Sequence, residues 1–380
     1  GHNAPCVFYN AQLELRIVLY VDDLLLSGPE KSIRDFYSLL GSRFELKELQ
    51  VLTTSSPIDF LGMQIELMPT GIKVSMVKYT QKTVDFMREN LQDDFPHHRP
   101  YATPYDRQAR CSDPDLPLTM AQRRIFMTGL GMCGWLASCF RVDIKYAYSM
   151  IASGMVEPLN HHLHRLVRLV SYLQGTSALC AASTIHPNPY ILPDVNVTSE
   201  GNVFKVYCDS DQGGVKESPD GPKPRFGYIL LLNGFSVYSK SSSIGVAIAD
   251  PDMTLALKQQ ESAAHCDTSS GAAETYAAGN CTHDLLILKH IFTDLHIEWP
   301  LPITLHIDNS AAETFMTGNA TKRSKLRHIA QHQDWVLLLR NRGLFVGEHV
   351  DSKSNLADIF TKPLENIVLT RLRSLVLQPL

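Results

Sequence analysis

The sequence predicts a multidomain protein of the α/β and α+β classes, with a mixed central sheet flanked by helices in its C-terminal half. Three observations carry that expectation. The 380 residues exceed what one ordinary core holds and leave room for two or three domains, each burying its own apolar face. Hydrophobic residues make up 44% and charged residues 19% of the chain, a balance that excludes disorder. Beyond residue 203, strand-type and helix-type segments alternate, as they do where one sheet is covered by helices.

Leu15 to Leu26 is apolar and β-branched on both flanks of Tyr20-Val21-Asp22-Asp23, which predicts two short strands meeting at a tight turn that carries both aspartates out of the sheet. Lys31 to Leu40 has helical spacing. Phe60 to Leu67 and Gly71 to Val77 pair as a hairpin across Pro69, Thr70 and Gly71, and Tyr79 to Leu91 returns to helix. Gln92 to Leu118, rich in Pro, Asp and His, lacks periodicity and reads as a linker or loop. Gln122 to Cys139, Asp143 to Ser153 and Leu159 to Gln174 form a helical middle that stops at Gly175. Three prolines within Pro187 to Glu200 mark a second linker.

Val203 to Cys208 then reads as a strand ending at Asp209, and Arg225 to Leu232 with Phe235 to Lys240 as a hairpin around Asn233-Gly234, a strong turn dipeptide. Ala272 to Leu295 is a long amphipathic helix. Ile303 to Ile307 is a strand ending at Asp308, Ser310 to Thr317 a short helix closed by Gly318, and Lys325 to Asn341 another helix. Leu344 to Val350 is a strand, and Leu356 to Thr361 a last helical turn.

Composition bounds the function classes. No apolar run reaches the roughly 18 residues a membrane helix needs, and no basic segment precedes an apolar one at the N-terminus, so no membrane partner and an intracellular location, cytoplasmic or nuclear, are expected. Eight scattered cysteines without a CxxC pair suit reduced thiols better than disulfides or zinc. His161, His162 and His164, and His328 with His332, lack a further ligand at compatible spacing and read as packed or solvated histidines. The formal net charge of −4 runs against nucleic-acid binding, yet Lys322, Arg323, Lys325 and Arg327 make the densest basic cluster, open to two readings: a phosphate contact or a solvated helix start.

Four carboxylates point to chemistry. Asp209 and Asp308 each follow a strand, Glu274 falls near the start of a helix and Asp358 lies in the last one. Carboxylates at the ends of neighbouring strands converge, and two hard divalent cations that clamp the attacking and leaving oxygens in phosphodiester hydrolysis need several such oxygen ligands. Taken singly, an aspartate at a strand end is more often a turn former or helix cap, so position alone leaves both readings open.

Five segments in order, Tyr207-Cys208-Asp209-Ser210-Asp211, Phe226-Gly227-Tyr228, Ser269-Ser270-Gly271-Ala272-Ala273-Glu274, His306-Ile307-Asp308-Asn309-Ser310-Ala311 and Ala357-Asp358-Ile359-Phe360-Thr361-Lys362-Pro363-Leu364, resemble successive signatures of the RNase H of copia-type LTR retrotransposon Pol polyproteins. Upstream, Tyr20-Val21-Asp22-Asp23 resembles the paired-aspartate turn of the polymerase, Phe60-Leu61-Gly62 the hairpin behind it, and Tyr172-Leu173-Gln174-Gly175-Thr176 the connection region. The resemblance implies a partial reverse transcriptase palm and thumb start over 1–91, a linker and helical thumb/connection over 92–186, a linker over 187–202, an RNase H-like domain over 203–364 and a C-terminal tail over 365–380.

The same resemblance implies a catalytic quartet of Asp209, Glu274, Asp308 and Asp358 holding two Mg²⁺ ions, with Mn²⁺ as a substitute, and endonucleolytic hydrolysis of the RNA strand of an RNA–DNA hybrid. Asp22 and Asp23 would belong to a metal site for nucleotidyl transfer that draws on another aspartate further upstream. RNA-directed DNA polymerase activity is therefore expected of a longer parent, whose N-terminal reverse transcriptase part would be a partner, and not of this chain alone. Arg327-His328 resembles the opening of the family's penultimate helix and joins the basic cluster as a candidate nucleic-acid contact. Val142 stands where the family has proline, Ala272 where it has an acidic residue, and Ser243 to Ser269 is longer than its usual connection. A catalytically inactive relic, kept as a nucleic-acid or protein binding module, is the competing reading.

Overall fold

The computed structural model describes residues 4–69, 71–92, 95, 99–106, 116–184, 204–211, 224–244, 270–299, 301–309 and 327–380, without the side chains of 183–184, 270–272 and 327–330. The long connection after Ser243, the short helix expected over 310–317 and Lys322, Arg323 and Lys325 fall outside the described residues.

The C-terminal sheet is built as the alternation predicts. Strands β8 (Phe204–Asp211), β9 (Arg225–Leu232), β10 (Phe235–Ser243), β11 (Ile303–Ile307) and β12 (Phe345–His349) lie in the order β10-β9-β8-β11-β12. The β9–β10 hairpin turns at Asn233 (φ 50°) and Gly234 (φ 83°), the left-handed pair that a two-residue turn requires. β8 pairs antiparallel with β9 and parallel with β11, which in turn runs parallel to β12. Three antiparallel strands followed by two parallel ones, with helices on both faces, make an RNase H-like fold.

Strand periodicity divides the core. Phe226, Tyr228 and Leu230 of β9 join Phe204, Val206 and Cys208 of β8 and Ile303, Leu305 and Ile307 of β11 on one face. There they meet Ala277, Ala278, Cys281 and Leu285 of helix α6 (Ser270–Asp294) and Val336 and Leu339 of α7 (Arg327–Asn341). Ile229 and Leu231, one residue out of phase, face the other way into a core shared with Leu356, Ile359 and Phe360 around the short α8 (Asp358–Thr361) and with helices of the chain's middle. β9 is thus buried on both faces, which explains its continuous apolar run.

Those middle helices are α3 (Met120–Cys139), α4 (Lys145–Ala152) and α5 (Asn160–Gly175), joined by α2 (Val77–Leu91). α3 begins with a reciprocal cap in which Gln122 N donates to Thr119 Oγ1 at 3.3 Å and Thr119 N to Gln122 Oε1 at 3.1 Å. At its far end Arg141 and Asp143, both fully buried, form a two-pronged ion pair at 2.9 and 2.8 Å, extended by Tyr172 Oη donating to Asp143 at 2.7 Å and by Arg373 Nη1 donating to Tyr172 Oη at 2.7 Å. Two of the segments singled out in the sequence, around Arg141 and around Tyr172, meet in this one network.

Four elements were not anticipated. β7 (Leu179–Thr184) pairs with β6 (Gly71–Ser75) of the expected hairpin, giving an antiparallel sheet in the order β13-β7-β6-β5-β4, with β5 spanning Met63–Met68 and β4 Ile58–Phe60. That sheet joins strands from both sides of residue 92. The stretch expected as a tail carries helix α9 (Asn366–Arg373) and strand β13 (Gln378–Pro379), and buries Leu369, Leu372, Val376 and Leu377 in the shared core. Near the N-terminus β1 (Val7–Asn10) adds to the expected pair β2 (Leu15–Tyr20) and β3 (Asp23–Ser27), with α1 (Glu30–Gly41) following. No helix among the described residues is long and apolar enough to cross a membrane.

Candidate metal centre

Parallel pairing brings the first two carboxylates together. Thr304 stands opposite Lys205 and His306 opposite Tyr207, so the same register carried two residues on sets Asp308 beside Asp209. Neighbouring strands lie about 4.8 Å apart, and side chains at matched positions share a face. Asp358 comes to that face from α8, and one carboxylate oxygen from each of Asp209, Asp308 and Asp358 lies within 4.8 Å of the others.

Glu274 stands outside that group of three; burial raises its carboxyl, and Asp209 and Asp308 are close enough for their charges to raise it further. It sits in the first turns of α6, on the face lined by Cys208 and Ile307, and its Oε1 accepts from Ser210 N at 3.1 Å and Ser210 Oγ at 3.0 Å. Its Oε2 is buried with no hydrogen-bond partner. Of the four expected carboxylates, Asp209, Asp308 and Asp358 are brought together, and Glu274 is bonded to Ser210, the residue after Asp209.

Several unpredicted residues hold this arrangement. Asn355, fully buried, donates from Nδ2 to Cys208 O at 3.1 Å and accepts from Ala357 N at 3.1 Å, which ties the loop before α8 to β8 one residue short of Asp209. Gly227 pairs with Asp209 across β8 and β9, and a Cβ there would lie 2.3 Å from Phe360 Cβ; only glycine lets α8 press so close to the sheet. Ser241 Oγ donates to Phe360 O at 2.6 Å. Thr361 Oγ1 donates to Asp209 Oδ2, while Lys362 Nζ lies 2.7 Å from Asp358 Oδ1 and 3.3 Å from Asp209 Oδ2. Thr361 and Lys362 follow Asp358 at i+3 and i+4, the spacing that brings helical side chains to one side, and this was the signal in the sequence that could have found them.

Electrostatics mark the cluster as short of positive charge. Burial, then the neighbouring Asp358 and Asp308, push the Asp209 carboxyl up to about 7 against the opposing pull of Lys362 and Thr361. Burial, followed by Asp209 and Asp308, lifts Glu274 well above the carboxylate range, and burial raises Asp358 despite Lys362. Burial draws the Lys362 ammonium down, but Asp209 and Asp358 together hold it above the ordinary lysine value. Hard oxygen donors in this number, one of them a buried atom without a partner, fit a divalent cation of the Mg²⁺ class.

The other expected site residues lie elsewhere. Asp22 and Asp23 are exposed at the β2–β3 turn, where Tyr20 pairs with Asp23 and Val21 takes the left-handed conformation at φ 55°, rare for a β-branched residue. Among the described residues the Asp209, Asp308 and Asp358 group is the one set of three metal-ligating side chains brought together, so neither turn aspartate nor the histidines of α5 form a second. His162 Nδ1 instead accepts from Leu159 N at 3.0 Å, in the first turn of its own helix. Arg327 and His328 open α7, and their side chains lie outside the described atoms.

No family model matches the chain. Curated relatives do. The chain is 25% identical over 354 residues to the retrovirus-related Pol polyprotein from transposon RE2 of Arabidopsis thaliana, covering 92% of this chain and 21% of that protein. It is 26% identical over 352 residues to that from transposon RE1 of the same plant, covering 92% of this chain and 20% of that protein. Among solved structures, LC11-RNase H1 in complex with RNA/DNA hybrid is 13% identical, with 41% of this chain and 92% of that one covered, at a TM-score of 0.28 that carries no weight here. The chain thus spans about a fifth of the length of its curated relatives, and along nearly all of its own length it is similar to copia-type retrotransposon Pol polyproteins.

Proposed function

We propose that this reverse transcriptase/RNase H fragment is a divalent-metal-dependent endonuclease that hydrolyses the RNA strand of RNA–DNA hybrids. The observation that carries the reading is the approach of Asp209, Asp308 and Asp358 to within 4.8 Å at the ends of the inner strands β8 and β11 of an RNase H-like sheet, with Glu274 bonded to the neighbouring Ser210. Those four side chains would hold two Mg²⁺ or Mn²⁺ ions. Bound there, such ions supply charge stabilisation to the attacking and leaving oxygens of phosphodiester hydrolysis.

The chain's own residues do the positioning. Asn355 and Gly227 fix α8 so that Asp358 faces Asp209, Thr361 orients one Asp209 oxygen, and Ser210 anchors Glu274. Residues 203–364 would form the nuclease domain, with 1–91 and 92–186 as palm and connection portions, and recognition of the hybrid would use minor-groove shape and 2′-hydroxyls. Lys322, Arg323, Lys325, Arg327 and His328 are assigned to the hybrid's phosphates. RNA-directed DNA polymerisation, with Asp22 and Asp23 in its metal site, is assigned to a longer polyprotein.

The test is cleavage of an end-labelled RNA–DNA hybrid by the purified chain with Mg²⁺, beside an Asp308→Asn variant and a primer-extension assay. Cleavage leaving 5′-phosphate and 3′-hydroxyl ends, lost in the variant, is expected. A folded protein that leaves the hybrid intact in Mg²⁺ and in Mn²⁺ refutes the reading and favours a binding module without catalysis.

A further inference from the structure

We propose that Lys362 is a resident cation of the carboxylate cluster, holding Asp209 and Asp358 together in the metal-free protein and competing with a divalent ion for that edge of the site. The inference rests on the nuclease reading above and concerns how its site is loaded. Its basis is placement. The ammonium lies 2.7 Å from Asp358 Oδ1 and 3.3 and 3.5 Å from the two oxygens of Asp209, so one cation already bridges two of the three clustered carboxylates.

A Mg²⁺ ion needs oxygen ligands at about 2.1 Å. Placed between Asp209 and Asp358, it would coincide with Nζ or nearly touch it, and two positive charges at that separation repel strongly. Loading of that edge therefore requires the ammonium to leave. Lys362 can do so, because its side chain remains 34% exposed while that of Asp209 is 2% exposed; the lysine can swing into water and the aspartate cannot. Thr361, the preceding residue, keeps its own bond to Asp209 Oδ2, so the carboxylate stays oriented while its cation is exchanged. The consequence is that Asp209 and Asp358 would hold a divalent ion only after Lys362 has left them.

The experiment uses the full chain, stripped of metal with chelator, as wild type, Lys362→Met and Lys362→Arg. Mn²⁺ binding is counted by electron paramagnetic resonance of the free ion, and melting is followed with and without Mn²⁺. Lys362→Met is expected to melt lower than wild type without metal, and to bind its weakest Mn²⁺ at least about tenfold more tightly, the sign expected when a competing positive charge is removed. Lys362→Arg keeps the wild-type pattern. A lysine that merely stabilises the fold would lower melting without tightening metal.

In wild type, acylation of Lys362 by an amine-reactive ester, read by mass spectrometry, should rise when Mn²⁺ is added, and this measurement stands even where Lys362→Met fails to fold. Equal Mn²⁺ number and affinity in wild type and Lys362→Met, or Lys362 labelling unchanged by Mn²⁺, overturns the inference while leaving the nuclease reading intact. Absence of Mn²⁺ binding in both proteins overturns the two together.

Discussion

Replacing Gly227 by alanine should damage the site from the opposite strand without touching any carboxylate. A Cβ at that position would lie 2.3 Å from Phe360 Cβ and 3.1 Å from Lys240 O. Ordinary carbon contacts begin near 3.5 Å, so α8 must retreat by about 1 Å or the strands must part. Overpacking of this kind costs about 1–3 kcal/mol. The retreat carries Asp358, two residues before Phe360, away from Asp209, and a misplacement of about 1 Å at a reacting centre can cost about a hundredfold in rate. Urea denaturation and hybrid-cleavage rates at saturating Mg²⁺ measure the two effects separately. Gly227→Ala with wild-type stability and wild-type cleavage would show that the close approach of α8 to β9 does not set the carboxylate geometry, and the positioning argument would fall with it.

Asn355→Ala removes the link from Cys208 O to the loop before α8 and should cost about 1–3 kcal/mol, the penalty for stranding buried polar partners; cleavage should fall while the secondary structure seen by circular dichroism persists. Asp143→Asn leaves the fully buried Arg141 without its counter-charge, and a loss of about 3–5 kcal/mol in chemical denaturation is expected. In the metal-free protein stability should decline as pH rises. Asp209 is held at about 7 in the folded chain against an ordinary value near 4, so between those values the folded state retains a proton that the unfolded chain has released, and the native state weakens through that window before levelling off above it. Saturating Mg²⁺ should flatten the slope in a melting series from pH 4 to pH 8; a metal-free profile that climbs with pH contradicts the assigned burial of Asp209.

The sequence was most informative where local rules and tertiary packing agree. Asn233-Gly234 announces its hairpin because few other residues accept two left-handed positions in a row, and the period-2 strands β8 and β11 and the long helix α6 follow their apolar spacing. Asp209 and Asp308 were legible as strand-end carboxylates, and the parallel register that aligns them is set by the pairing of β8 with β11. β7, with Leu179-Cys180-Ala181-Ala182-Ser183-Thr184, was not legible: small residues with little strand preference are held there by pairing with β6 and β13. α9 was hidden because its buried face is supplied by just Leu369 and Leu372. The supporting shell of the site was hidden for a different reason. Asn355, Gly227 and Ser241 act through main-chain contacts with residues far away in the sequence, and no local pattern records such contacts.

The two faces of the β8–β9–β11 sheet impose different dependences on the site. Glu274 is set by α6, whose packing against Cys208, Tyr228 and Leu305 lies within the C-terminal part of the chain. Asp358 is set by α8, whose Ile359 and Phe360 are buried among residues of α3, α4 and α5 and of the last helix, α9. Lys145 Nζ, donating to Ser239 O at 2.6 Å, and Arg225, bonded to Ser149, cross the same boundary. The geometry of the carboxylate cluster therefore rests on α3, α4, α5 and α9 as well as on the sheet: Asp358 is placed by a helix packed among them, whereas Asp209 and Asp308 are placed by the pairing of β8 with β11.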